Sequence, residues 1–307
     1  MSDFTFAHLS DPHLTTLEDV EIGDLFSKRV LGYLSWRSHR RTEHQGEILA
    51  RLVDDVRIKN PNHIVITGDL THLGLPAEFE EAKDWLHDLG PATHVTVIPG
   101  NHETYVATAW EKTFAHWAPY LLSDQANEAE SLSSAEGVFP TVRIRGRVAF
   151  IGLSSAQPTL PFLATGTLDA AQLSKLEEVL RQLGRQNLCR VVLIHHPPLS
   201  GIVKWRKSLT NASTLEAILA QCGAELVLHG HAHRSIMTSI STPTQPIPVL
   251  GVPSASAVGA TPDRRAHYHL YSVKERSGAW DIQVQVYAYS AETQRFHLDH
   301  EQHLAVS

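Results

Sequence analysis

Phe4-Thr5-Phe6-Ala7-His8-Leu9-Ser10-Asp11-Pro12-His13 runs from an apolar-rich stretch directly into two residue types that bind metals and move protons. The pattern recurs along the chain. Residues 63–67 lead to Gly68-Asp69, 95–98 to Gly100-Asn101-His102-Glu103, 191–194 to His195-His196-Pro197, and 226–228 to Gly230-His231-Ala232-His233. Short apolar runs that end in Gly, Pro or polar clusters have the pattern of buried strands, and 148–153 and 249–252 add two more. Segments 43–59, 78–89, 106–120, 170–183 and 213–222 carry apolar residues near the 3.6-residue period and are expected to be helices. Alternating strand and helix reads as an α/β fold. After Ala266, residues 267–273 and 280–289 flank Ser277-Gly278, which predicts a hairpin closing the fold.

At 307 residues the chain is long enough for a full core, and we read 1–307 as one domain with an insertion at about 15–42. Its 42% hydrophobic and 19% charged residues exclude bulk disorder. The 26 Lys and Arg against 33 Asp and Glu give a net charge of −7, so no nucleic-acid partner is expected. Cys189 and Cys222 lie outside any CxxC spacing and are expected to be buried free thiols. No basic leader precedes an apolar segment and no run of 18 apolar residues occurs, so a cytoplasmic location is the expectation.

Loops at the carboxyl ends of strands in α/β sheets are where ligands bind, and all five polar motifs follow strand-like runs. Asp, Asn and His donors suit borderline divalent ions such as Mn, Fe, Co or Zn, and the lack of thiolates disfavours a closed structural zinc site. Any one of the motifs alone is common. Together, and in this order, they point to a catalytic metal centre.

From Asp11 to His233 the chain resembles the calcineurin-like metallophosphoesterases, whose pattern is DxH, GD, GNH[DE], H and GHxH. The resemblance implies a four-layer αββα sandwich of two mixed sheets with flanking helices. It also implies two divalent metal ions, one held by Asp11, His13 and His233, a second by Asn101, His195 and His231, with Asp69 bridging them. His195 is preferred over His196 because the family's ligand ends an apolar strand of the form VxxH, which Val192-Leu193-Ile194-His195 matches. By the same resemblance, water attacks phosphorus and His102 assists the leaving oxygen. The Gly68-Asp69-Leu70-Thr71-His72-Leu73-Gly74 run lacks the GDxxDRG extension of the Ser/Thr protein phosphatases. With HHPP and GHAH it is closer to the bacterial class III cyclic nucleotide phosphodiesterases and glycerophosphodiesterases.

The expected function is therefore hydrolysis of a small phosphodiester or phosphomonoester, with His72, Tyr105 and His196 as candidate substrate contacts. Two alternatives stand beside it: a lipid-linked phosphate or pyrophosphate hydrolase at the inner face of a membrane, and a non-catalytic scaffold on the same fold. The first is motivated by the 15–42 insertion, a helical cap-like segment whose Lys28, Arg29, Arg37, Arg40 and Arg41 suggest peripheral contact with anionic lipid. Arg264 and Arg265 are candidates for a rim that holds a second anionic group. His297, His300 and His303 are expected on a polar surface tail. The native metal, the oligomeric state and the physiological substrate are not encoded in the motifs, because pocket shape sets substrate choice.

Overall fold

The computed structural model describes residues 3–14, 17, 29–37, 41–124, 137–276 and 278–306. Two six-stranded mixed sheets form its centre. In the first, β1 (Phe4–Leu9), β2 (His63–Ile66) and β3 (Val95–Val97) run parallel, and antiparallel β10 (His267–Arg276), β11 (Ala279–Ser290) and β12 (Arg295–Val306) extend it beyond β1. In the second, β5 (Val148–Gly152), β6 (Cys189–Leu193), β7 (Leu226–His229) and β9 (Ile247–Gly251) run parallel between antiparallel edge strands β4 (Thr141–Arg145) and β8 (Ile236–Ile240).

Of the five crossover connections that parallel neighbours need, the chain between β7 and β9 forms β8 and helices supply the other four. These are α1 (Gly46–Lys59) between β1 and β2, α2 (Pro76–Leu89) between β2 and β3, α3 (Ala170–Arg185) between β5 and β6, and α4 (Ala212–Cys222) between β6 and β7. In α1 the spacing of Ile48, Leu49, Leu52, Val53 and Val56 places them on one buried face. Strand residues alternate between two layers: Phe6 enters the core between the sheets, whereas Ala7 and Leu9 join the layer under α1 and α2. Phe6 stacks on Tyr271 of its own sheet at 4.6 Å and meets Phe150 of the other sheet edge-on at 5.1 Å. On the far side Leu176, Leu180 and Leu215 cover Val192 and Val227. The order helix, sheet, sheet, helix is the four-layer α/β arrangement.

Several local expectations are corrected. Residues 106–120 do not form one helix; they make 3₁₀ turns at Trp110–Lys112 and Phe114–Trp117 and a short helix Ala118–Leu121. The run breaks at Thr113, whose backbone leaves the helical region at φ −135° and ψ −102° while its hydroxyl bonds back to the carbonyls of Ala109 and Trp110 at 3.0 and 3.3 Å. The helix expected from residue 43 starts at Gly46, because Gln45 N–H donates to Ser256 O and Glu43 O accepts from Val258 N–H. His297, His300 and His303 lie on β12, an outer strand whose Phe296 and Leu304 are buried while the histidines face solvent. Strands β4 and β8 were masked in the sequence by mixed polarity, as befits half-exposed edges. Cys189 is buried, but Cys222 is only partly so. No described helix is long and apolar enough to cross a membrane.

Candidate active site

The loops after β1 and β2 are laced together by backbone bonds: Asp11 N–H to Gly68 O at 2.9 Å, His13 N–H to Asp69 O at 3.2 Å and Leu14 N–H to Leu70 O at 2.8 Å. Across the sheet interface, His231 N–H donates to Asp11 Oδ2 at 3.0 Å, and Gly230 sits so close to Ser10 and Asp11 that a Cβ there would overlap both. Gly100 likewise leaves no room for a Cβ beside the Asp69 carboxylate. Asp11, His13, Asp69, His231 and His233 all have positive φ, between 46° and 62°. Left-handed backbone is costly for such residues and persists where surrounding structure over-determines it, as at functional sites.

The side chains so placed form two groups of converging donors. Ligand-type atoms of Asp11, His13, Asp69 and His233 lie within 4.8 Å of one another, as do those of Asp69, His195 and His231. Asp69 belongs to both. Asn101 joins the second group through its Oδ1, 3.1 Å from His195 Nε2.

For His13, His195 and His231, hydrogen bonding on the outer side of the ring fixes which nitrogen faces inward. His13 Nδ1–H donates to Thr71 O at 2.9 Å, leaving a buried Nε2 with no hydrogen-bond partner. His195 Nδ1–H donates to Thr67 O at 2.6 Å, and His231 Nε2–H donates to Lys207 O at 2.9 Å. Neutral His195 then turns a bare Nε2 toward two oxygens, Asp69 Oδ2 at 3.2 Å and Asn101 Oδ1 at 3.1 Å. Such an arrangement needs a cation among the three atoms. A proton serves in the free protein: burial disfavours charge on His195, yet the Asp69 carboxylate outweighs it and holds the pKa up to about 9. Burial would raise the Asp69 pKa, but His195 and His102 hold it well below the usual carboxylate range. Asp11 Oδ1 lies 3.0 Å from His233 Nε2 without hydrogen-bond geometry, the disposition of two donors that share a metal ion. Anchored imidazoles and buried carboxylates are a donor set that fits borderline divalent ions.

A cleft of about 650 Å³ opens on this cluster and is lined by His44, Asp69, Asn101, His102, His231 and His233 together with Lys207 and Arg264. His102 Nδ1–H donates to His72 O, so its Nε2 is the proton-exchanging atom, 3.9 Å from Asp69 Oδ2. None of the three expected substrate contacts is among the described residues that line this cleft. His72 is buried and stacks on His13 at 4.8 Å; Tyr105 packs against His102 at 5.8 Å and against the small cluster of Leu17, Trp36, Leu73 and Leu75. His196 is buried between Ser155 Oγ at 2.7 Å and Ala164 O at 3.2 Å, its ring 4.3 Å from that of His231. Of the two arginines expected on a rim, Arg264 lines the cleft, whereas Arg265 lines a separate groove with His267 and His300.

Most of the 15–42 insertion, with Lys28 and Arg40, lies outside the described residues. Arg29 opens a short helix, Arg29–Ser35, and its guanidinium donates to Leu73 O at 3.2 Å and Gly74 O at 2.7 Å, which ties it to the loop after β2. Arg37 and Arg41 are exposed.

Sequence reading missed three polar residues. Glu103 ends the GNHE motif and is fully enclosed, accepting from the backbone of Asp69, Thr71 and Gly100; burial, then Asp69, push its pKa up to about 7. Glu78 accepts from the N–H groups of His72, Leu73 and Leu75 at the start of α2. His44 approaches from the end of the insertion, its ring 4.4 Å from that of His13. The acid after Asn101-His102 was a visible signal for Glu103. Glu78 also bonds locally, within six residues and at the third position of α2, where a capping acid is expected, whereas His44 depends on contacts remote in sequence.

Comparisons with known proteins agree with this geometry. The sequence profile described as Calcineurin-like phosphoesterase matches residues 4–235. A probable cyclic nucleotide phosphodiesterase of Synechococcus sp. is 26% identical over 239 residues, which are 76% of this chain and 80% of that protein. A 3',5'-cyclic-nucleotide phosphodiesterase of Nostoc sp. is 30% identical over 174 residues, 56% of this chain and 55% of the other. A dimetal phosphatase from Danio rerio has the same fold with a TM-score of 0.63 at 13% identity, 99% of each chain being covered. With well over half of its length matched by the family profile and His/Asp groups able to hold metal ions at the strand ends, this chain belongs to the calcineurin-like phosphoesterases, metal-dependent hydrolases of phosphoric esters.

Proposed function

We propose that the chain hydrolyses a small phosphodiester or phosphomonoester, with 3′,5′-cyclic nucleotides and glycerophosphodiesters as the leading substrates. The observation that carries this reading is the membership of Asp69 in both donor groups. Asp11, His13, Asp69 and His233 would hold one divalent ion and Asp69, Asn101, His195 and His231 a second, with Mn, Fe or Zn suited to these donors. When bound, such a pair supplies Lewis-acid polarisation of the phosphoryl group and lowers the pKa of water.

The chain's own residues supply the rest. Glu103 and the backbone bonds between loops hold Asp69 in place without solvent. Protonated His102 carries a transferable proton at Nε2 while its Nδ1 stays fixed on the His72 carbonyl, the arrangement a general acid for a departing alkoxide requires. Lys207 and Arg264 bring positive charge to the cleft for an anionic ester. Its volume of about 650 Å³ suits a ligand of mononucleotide size. Two relatives named as cyclic nucleotide phosphodiesterases support the substrate class.

The test is a screen of the purified, Mn- or Zn-loaded protein against cyclic nucleotides, glycerophosphodiesters, lipid-linked phosphates and nitrophenyl esters. We expect the highest kcat/KM on a small soluble diester. Preference for a lipid-linked phosphate, or no turnover of any ester, would contradict the proposal.

A further inference from the structure

Leu160-Pro161-Phe162-Leu163 makes a tight turn in the segment between β5 and α3. Leu163 N–H donates to Leu160 O at 3.1 Å, and Thr159 Oγ1 donates to Leu163 O at 2.7 Å. Proline at the second position of the turn, followed by a φ of 68° at Phe162, is the type II pattern, whose third position favours glycine. A bulky aromatic there is strained, and Phe162 is also 76% exposed, so neither local conformation nor burial accounts for it. Leu160 of the same turn is 73% exposed. A second loop runs alongside: Ala164 N–H donates to Arg206 O at 2.8 Å, Gly166 N–H to Ser208 O at 3.2 Å and Thr210 N–H to Gly166 O at 2.8 Å. It carries Lys204-Trp205-Arg206-Lys207, all exposed, with Trp205 at 73%. Among large apolar side chains of the described residues, only Ile58 is as exposed as Leu160, Phe162 and Trp205.

We propose that Leu160, Phe162 and Trp205, with Lys204 and Arg206, form a docking surface for an anionic lipid bilayer. Charge carries the choice of partner. Residues 156–168 and 197–215 hold the basic Lys204, Arg206 and Lys207 and no acid, in a chain whose net charge is −7. Basic residues alone would suit any polyanion. Exposed apolar side chains interleaved with them need a partner that is negative at its surface and apolar just beneath, and a bilayer is both. The Trp205 ring suits the headgroup level, while Leu160 and Phe162 on their turn supply the part that inserts. Both loops border the cleft: Ala164 and Lys207 line it, and their carbonyls lie 3.2 Å from His196 Nε2 and 2.9 Å from His231 Nε2. Docking therefore brings the rim of the cleft to the bilayer surface. It adds a location to the hydrolysis proposed above and does not depend on it.

The experiment is cosedimentation of the full chain with phosphatidylcholine vesicles that contain or lack phosphatidylglycerol, at low and high salt. Wild type is compared with two double variants, Phe162→Gly with Trp205→Ala and Lys204→Glu with Arg206→Glu. Thermal melting establishes that each variant folds; all four side chains are exposed, and glycine at 162 relieves the strained turn. Wild type should bind vesicles containing phosphatidylglycerol at low salt, bind less at high salt and leave phosphatidylcholine vesicles largely free. Its tryptophan emission should move to shorter wavelength on binding, a shift lost with Trp205. Each double variant should weaken partition by about 10-fold or more. A wild type that does not bind phosphatidylglycerol vesicles at low salt, or unchanged partition in either double variant, would overturn the proposal. So would self-association of wild type in place of vesicle binding, reversed by Phe162→Gly with Trp205→Ala, since a second copy would then be the occupant.

Discussion

The Glu103 carboxylate accepts the backbone N–H of Asp69 at 2.9 Å, so the acid that ends the GNHE motif fixes the acid of the GD motif through its main chain. The same carboxylate takes the N–H groups of Thr71 at 2.9 Å and Gly100 at 2.7 Å. Three buried donors therefore lose their acceptor in Glu103→Ala. An unsatisfied buried donor costs about 1–3 kcal/mol, and the three are coupled, so we expect a loss on the order of 3 kcal/mol. Urea unfolding of the metal-free protein measures it. A loss below about 1 kcal/mol would show that water replaces the carboxylate and that the brace is dispensable.

His102→Ala should reduce turnover more for alkyl phosphate esters than for nitrophenyl esters. A nitrophenolate departs without a proton, whereas an alkoxide needs one in the transition state. The comparison is the ratio of kcat/KM losses on the two substrates in one metal-loaded preparation. Equal losses would place His102 in phosphate positioning instead.

Acid should destabilise the fold through buried neutral histidines remote from the cleft. Burial, then Arg145 and Arg143, lower the His63 pKa from 6.5 to about 2, and burial, then neighbouring histidines, lower that of His269 to about 3. Below pH 6.5 the unfolded chain binds protons that the native state refuses, so stability present above that pH is lost progressively toward pH 3. Each group contributes about 1.4 kcal/mol per pH unit within its window. Between pH 7.5 and 5 the His63→Gln variant should therefore lose about 2 kcal/mol less than wild type in urea unfolding of the metal-free protein. An unchanged pH dependence would contradict a neutral, buried His63.

The legible part of this protein was the part written in short range. Apolar runs such as 191–194 or 226–228 are buried on both faces, and their motifs sit at the strand ends because the backbone must turn there. What escaped depends on pairing between distant segments. The bridge between His44 and Ala257 and the Arg29 guanidinium on the Leu73 and Gly74 carbonyls each join residues far apart in the chain. Spacing also could not tell a residue that lines the cleft from one that supports it. His72 and His196 are as conspicuous in sequence as His102, yet neither lines the cleft, and Thr, Ser and backbone groups hold them or their neighbours.

If Asp69 is shared between two metal ions, the sharing can be counted. Metal-stripped wild type and Asp69→Ala are reloaded with Mn²⁺ or Zn²⁺, and ions per chain are read by native mass spectrometry alongside turnover of the best ester. A shared Asp69 implies two ions per wild-type chain, fewer in Asp69→Ala, and a fall in turnover of several orders of magnitude with the fold intact. A wild type that takes up no ion or one ion, or an Asp69→Ala variant with full activity, would contradict it.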